Sequence, residues 1–126
     1  MQVKCINNEG YLLSRNSVKQ GKEQRTKHKG LKVNSLYEVH GIVIFQEDVL
    51  YLLIDEFDMP MWYVAELFDI IDSKISKDWH YKFHGYNDRG MTSICGYKEL
   101  VDSKEHYNGL IEQNKNDIQI FRNITK

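Results

Sequence analysis

The sequence predicts an α+β protein that is mainly β: a small curled barrel, then a β-hairpin, then one or two C-terminal helices. Three observations support this fold class. Residues 36–71 are the densest apolar stretch and follow the rhythm of strands. Residues 79–84 alternate between aromatic and polar side chains. Beyond residue 102 the apolar spacing changes to three and four residues, which is typical of helices.

Short strands joined by turns account for the first half of the chain. Gly41 marks an expected bend, and Pro60 lies in a turn because it has no N–H for a sheet ladder. A single helical turn is expected at residues 65–68. Curling such a sheet into a barrel would hide the edges that a small sheet otherwise exposes. The predicted strands are residues 2–6, 11–14, 36–45, 49–55, 61–64 and 69–71.

Two segments, LKVNSLYEV and MWYVAELFDII, resemble the small Src-homology-3-like (SH3-like) β-barrels of short bacterial and phage proteins. Asn34-Ser35 replaces the Lys/Gly turn of that family, and Val64 stands where Pro is frequent. The resemblance covers residues 1–72 and implies an SH3-like barrel that serves as an interaction module, without catalytic residues. The matching residues are Leu36, Tyr37 and Val39 at the entry and Trp62, Tyr63, Glu66, Leu67 and Phe68 at the exit.

Residues 73–126 are predicted to be an α/β extension, packed either as its own lobe or with the barrel as one domain. A hairpin is expected at residues 79–97, with the aromatic face of its first strand buried and its polar face in water. Residues 102–125 are predicted to be helical, with Asp102 or Ser103 as the N-cap. Within them, 117–124 fits a helix or a strand, and the adjacent Ile120 and Phe121 favour a helix.

Composition restricts the class of protein. The net charge of -1 argues against a dedicated nucleic-acid binder, which usually carries a basic excess. Cys5 and Cys95 are too few for a disulfide scaffold, and there is no CxxC pair. Neither a signal peptide nor a membrane-spanning run is expected. The sequence therefore predicts a cytoplasmic protein that does not enter a membrane.

Residues 15–32 form a basic segment, although the chain as a whole is nearly neutral. Residues 14–30 carry six Lys or Arg side chains and a single acid, Glu23. The segment is predicted to be a solvated loop or a patch for phosphate or an acidic partner. Stacking aromatics are missing inside it, which weakens a single-stranded nucleic-acid interpretation. The candidate binding residues are Lys22, Arg25, Lys27 and Lys29.

No group of residues in the sequence indicates a catalytic residue, a metal site or a cofactor-binding site. His80 and His84 are four residues apart on a predicted strand, so about 13 Å would separate them. Cys95 could pair with His106 or His84 as nucleophile and base, but its apolar surroundings predict a small core residue. Three acids at a turn, Asp55, Glu56 and Asp58, are expected to serve turn formation and solubility.

Aromatic residues give the sequence its main binding candidates, because interfaces favour Tyr and Trp. There are eight Tyr and two Trp in the chain. Trp62 and Tyr63 are adjacent, so on a strand they must face opposite sides. The alternative is that these rings fill the core. The candidates are Tyr11, Tyr51, Trp62, Tyr63 and Tyr86.

The leading functional hypothesis is a non-enzymatic protein-binding module, of which an inhibitor or immunity-type protein is one version. Its partner would be another protein, held by the aromatic face and the acidic turns. The first alternative is a nucleic-acid-associated accessory protein that uses residues 15–32. The second is a small enzyme with a site between the two halves, using His84, Asp88 or Arg89.

Overall fold

The computed structural model describes residues 1–9, 27–45, 48–86 and 90–126. More residues lie in strands than in helices, which confirms the α+β, mainly β class. A 3-10 turn spans Ala65–Leu67, where a helical turn was expected. The strands are β1 (Gln2–Cys5), β2 (Leu36–Glu38), β3 (Gly41–Phe45), β4 (Asp48–Ile54), β5 (Pro60–Val64), β6 (Phe68–Asp72), β7 (His80–Phe83) and β8 (Ser93–Gly96), and the helices are α1 (Lys98–Asp102), α2 (Lys104–Ile111) and α3 (Lys115–Ile124).

The strands form two antiparallel sheets. One has three strands in the order β2-β1-β6, and the other has five in the order β5-β4-β3-β8-β7. The predicted strand 36–45 is divided between them, because β2 ends at Glu38 and β3 begins at Gly41, the expected bend. A Cβ on Gly41 would lie 2.6 Å from Leu100 Cδ2, so a larger residue there would displace the Leu100 side chain. In the described ranges the strand pairs do not join into a closed barrel.

Two hydrophobic cores lie on opposite faces of the five-stranded sheet. The first core separates it from the three-stranded sheet and includes Val3, Leu53 and Tyr63. The second core separates it from the helices and includes Leu52 and Phe121. β4 supplies residues to both cores, as its apolar residues on both parities predicted. We call the face toward the first core the barrel face, after the barrel that the sequence predicts, and the face toward the second core the helix face. The two cores are called barrel-side and helix-side accordingly.

Strand β7 lies at the edge of the five-stranded sheet. The burial predicted for the aromatic face of Trp79, Tyr81 and Phe83 is wrong at the last two, whereas Trp79 packs partly buried against the first core. β7 pairs with β8, so the expected hairpin forms. Tyr81 and Phe83, however, are 63% and 53% exposed. The reason is tertiary: the first core draws its residues from β3, β4 and β5 but none from β7 or β8. Within the described chain, the three-stranded sheet does not cover this end of the barrel face.

Three helices follow β8, whereas one or two were predicted. α1 precedes the predicted helical region. It has no side-chain N-cap, and a capping residue is the signal from which a helix start is predicted in a sequence. Ser103 caps α2 by accepting the His106 N–H at 3.1 Å, and Asn114 caps α3. Residues 117–124 are helical, as favoured. In the described ranges, no helix has both the length and the apolar character needed to cross a bilayer.

Candidate functional site

The predicted aromatic residues are not brought together at one surface. Trp62 and Tyr63 do face opposite sides of β5, in the helix-side and barrel-side cores respectively. Tyr51 and Tyr63 are each only 8% exposed, so they offer little area to a partner. Tyr86 is 88% exposed. Tyr11 lies outside the described residues.

The basic candidates are described only in part. Lys22 and Arg25 lie outside the described residues. Lys27 and Lys29 line a pocket of about 290 Å³ together with Tyr63. The pocket lies beside the turn that follows β4, so these three predicted residues do meet.

Asp55, in that turn, is more than the solvent-facing turn residue that was expected. Its side chain is buried and accepts the Tyr63 hydroxyl at 2.7 Å. It also accepts the backbone N–H groups of Phe57 and Met59, at 2.9 and 3.3 Å. Burial, followed by this hydrogen bond to Asp55, raises the pKa of the Tyr63 hydroxyl well above its ordinary value. Asp55 therefore holds the turn to β5 from inside the core.

The backbone of β7 offers hydrogen-bonding groups at the sheet edge. His84 donates its N–H to the Thr92 carbonyl at 2.7 Å, and Lys82 is paired with Ile94. Antiparallel ladders alternate residues that bond the neighbouring strand with residues whose N–H and C=O point away from it. By this alternation the backbone groups of Tyr81 and Phe83 point away from β8. Among the described strands, β7 has a neighbour on one side only.

The side chains of β7 divide into an aromatic face and a basic face. Tyr81 and Phe83 project from the barrel face, opposite Cys95 and Ser93. The Phe83 ring meets the Tyr86 ring edge-on, with centroids 5.4 Å apart. On the helix face the strand carries His80 and Lys82, followed by His84. Sequence reasoning found this alternation but placed the aromatic side inside.

A cavity of about 860 Å³ lies on the helix face, between the β7–β8 hairpin and the helices. Lys82 and His84 line it from the hairpin, and Lys104 lines it from the first turn of α2. Burial first, then the charges of Lys82 and Lys104, lower the pKa of His84 below its ordinary value of 6.5. His84 had been named for a site at this junction. Asp88 and Arg89, named with it, lie outside the described residues.

A buried chain of polar side chains connects the three helices, and sequence reasoning missed it. Tyr97 Oη lies 2.6 Å from His106 Nε2, and His106 Nδ1 lies 2.9 Å from Asp117 Oδ1. Tyr97 is the residue before α1, while His106 and Asp117 belong to α2 and α3. Gly109, a helix-weakening residue at the centre of α2, was the available signal: an added Cβ there would overlap the Asp117 carboxylate.

This chain of three residues has the composition of a nucleophile, a base and an orienting acid. Its burial favours a structural role. Tyr97 and His106 are 7% and 4% exposed, and neither lines the three cavities found in the described chain. Burial, as the first cause, also raises the pKa of the Tyr97 hydroxyl well above its ordinary value, so it stays protonated.

The cysteine–histidine pairs considered from the sequence are not assembled. Cys95 is opposite Tyr81 and projects from the barrel face, whereas Ile94 and Lys82 define the helix face. His84 lines the cavity on that helix face, and His106 belongs to a helix packed there. Burial raises the pKa of the Cys95 thiol, which disfavours the thiolate. Within the described ranges, no group of three or more His, Cys, Asp or Glu side chains is arranged to hold a metal ion.

Comparison with protein-family models, with curated protein sequences and with solved structures finds no match to this chain in any of the three.

Proposed function

We propose that the protein is a non-enzymatic protein-binding module that adds an extended segment of its partner to the edge of β7. One observation carries this proposal: the backbone groups of Tyr81 and Phe83 point to an edge without a strand neighbour in the described chain, beside exposed aromatic side chains. Exposed edges of this kind invite pairing. Strand addition uses the backbone for affinity and alternate side chains for specificity.

The two faces of β7 define the chemistry of the partner segment. Side chains of an added strand would lie alternately beside the aromatic face and beside the basic face. The first set would meet Tyr81 and Phe83, and the second would meet His80 and Lys82. Apolar residues suit the first environment and acidic residues the second. The expected ligand is therefore an extended peptide in which apolar and acidic residues alternate.

The SH3-like barrel stays part of this proposal for residues 1–72. Three features of connectivity support it. β2 and β3 are separated only by Val39-His40 yet belong to different sheets. The 3-10 turn stands immediately before β6, and β6 returns to pair with β1. In this proposal β7 and β8 extend the five-stranded sheet beyond the barrel and supply the binding edge.

Selection from a random heptapeptide library tests the proposed function. The peptides that bind should alternate apolar and acidic residues, and they should slow amide hydrogen exchange at Tyr81 and Phe83. Changing Phe83→Ser should weaken the selected peptides by about tenfold or more, as expected for an aromatic contact at the centre of an interface. Ile75→Ser is the matched control, because Ile75 is 52% exposed against 53% for Phe83 and lies outside β7.

Several outcomes would overturn the proposal. One is the selection of no alternating peptide. Another is protection of amides elsewhere than β7, or equal weakening by the Phe83 and Ile75 changes. A further outcome is a stable dimer in light scattering that Phe83→Ser dissolves, because the edge would then serve a second copy of this chain.

A further inference from the structure

The cavity on the helix face has the size and walls of a small-molecule site. Its volume of about 860 Å³ falls in the range of roughly 300–1,000 Å³ that ligand pockets occupy. The β7–β8 hairpin forms one wall, and the end of α1 with the start of α2 forms the other. Ile94 and Leu100, both buried residues of the helix-side core, form its floor. Rigid elements on both sides therefore shape it.

Basic side chains line this cavity from both sides. Lys82, His84 and Lys104 line it from two different elements. The N-terminal turn of α2 adds partial positive charge, because helix dipoles are positive at that end. Asp102 and Glu105 also line the cavity. The charges that act on His84 are nevertheless the two lysines, so the field at that imidazole is positive.

An apolar pocket adjoins the cavity. Phe45 and Tyr107 line both the cavity and a neighbouring pocket of about 370 Å³, whose other residues include Trp62 and Leu110. Burial raises the pKa of the Tyr107 hydroxyl to about 12, so its ring is a neutral wall at physiological pH. The second pocket lies between α2 and the strands β3, β4 and β5. A cavity lined by basic side chains thus lies next to an apolar pocket.

We propose that these adjoining pockets together bind a small amphiphilic anion, a carboxylate or phosphate attached to an apolar chain. The anionic head lies beside Lys82, His84 and Lys104, where charge-assisted hydrogen bonds are strongest. The apolar chain passes between Phe45 and Tyr107 and lies against Trp62. This site shares Lys82 with the peptide edge, but Lys104 belongs to the cavity alone, and the backbone and aromatic side chains of the edge lie outside the cavity.

Calorimetric titration with decanoate, decyl phosphate and decanol tests the inference, each below its micelle-forming concentration. At least one of the two anions should bind. Decanol should bind about tenfold more weakly or not at all, because it lacks the charge. Lys104→Gln should weaken anion binding by about tenfold. The matched control is Lys98→Gln, because Lys98 is an exposed lysine of α1 that does not line the cavity.

The position of the bound chain gives the second readout. Amide shifts in the nuclear magnetic resonance spectrum should change at Ile94, Tyr107 and Leu110. The inference is overturned if no anion binds the wild-type protein, if decanol binds as well as the anions, or if the shifts map to another surface. Equal weakening by the Lys98 and Lys104 changes also overturns it. Lys104→Gln should leave the peptides selected on β7 unaffected, so failure of one proposal is distinguishable from failure of the other.

Discussion

Gly109→Ala should destabilise the protein even though alanine is the better helix former. Gly109 lies within α2, where an alanine would by itself stabilise an exposed helix by about 1 kcal/mol. Here the added methyl would overlap the Asp117 carboxylate. Asp117 must then rotate toward solvent and lose its 2.9 Å hydrogen bond to His106. His106 is 4% exposed, so its ring nitrogen would lose its partner inside the protein.

The magnitude follows from these two opposing terms. A buried polar group without its partner costs about 1–3 kcal/mol. Subtracting the gain of about 1 kcal/mol in helix propensity leaves a net loss of roughly 0–2 kcal/mol in the free energy of unfolding. Equilibrium urea unfolding followed by circular dichroism measures it. Asn108→Ala is the control on the same helix, because Asn108 is exposed and should gain about 0.5 kcal/mol.

A double-mutant cycle isolates the cause. In the background of Asp117→Ala the carboxylate is absent, and only the residue-117 Cβ, 3.0 Å from the added methyl, still needs a small shift. Gly109→Ala should then be neutral or stabilising, with a coupling energy of about 1–3 kcal/mol. If Gly109→Ala stabilises the wild-type protein as Asn108→Ala does, the carboxylate does not occupy this space and the reasoning fails.

Two further predictions concern the barrel-side turn and the effect of pH. Tyr63→Phe should lower the free energy of unfolding by about 1–2 kcal/mol, because it removes a hydrogen bond to the buried Asp55 carboxylate. Urea unfolding measures the change. Tyr81→Phe is the control, because the Tyr81 ring is exposed and its change should leave the free energy of unfolding unaltered. Burial lowers the pKa of His40, so the unfolded chain takes up its proton first and stability should fall as pH drops below about 6.5. His40→Phe should reduce that slope by up to about 1.4 kcal/mol per pH unit, and an unchanged slope between pH 7 and 5 would exclude His40 as a contributor.

Local sequence patterns were sufficient to predict most of the individual strands and helices. The apolar residues of β4 on both parities predicted a strand buried on both faces, and Leu52 and Leu53 belong to the two cores. The bend at Gly41 and the helical turn before β6 follow from residues that act locally. α1 was missed because it has no side-chain cap, so its position depends on packing of Leu100 and Val101.

The candidate sites were less predictable than the elements. Tyr51 and Tyr63 were named for an interface, yet both are buried in the first core. The Tyr97–His106–Asp117 chain joins residues that are 9 and 11 positions apart, and no short motif has that spacing. The helix-weakening Gly109 indicates a close approach but not its partner, because the contact forms only when three helices pack on one another.

By itself the sequence determined the order of the secondary-structure elements: strands first, a hairpin with one aromatic and one polar face, and helices at the end. Only the tertiary structure decided which faces are covered. The aromatic face of β7 is the clearest instance, because alternation indicates that two faces differ but not that anything packs on the apolar one. Burial depends on where a second layer ends, and here the three-stranded sheet ends before it reaches Tyr81 and Phe83.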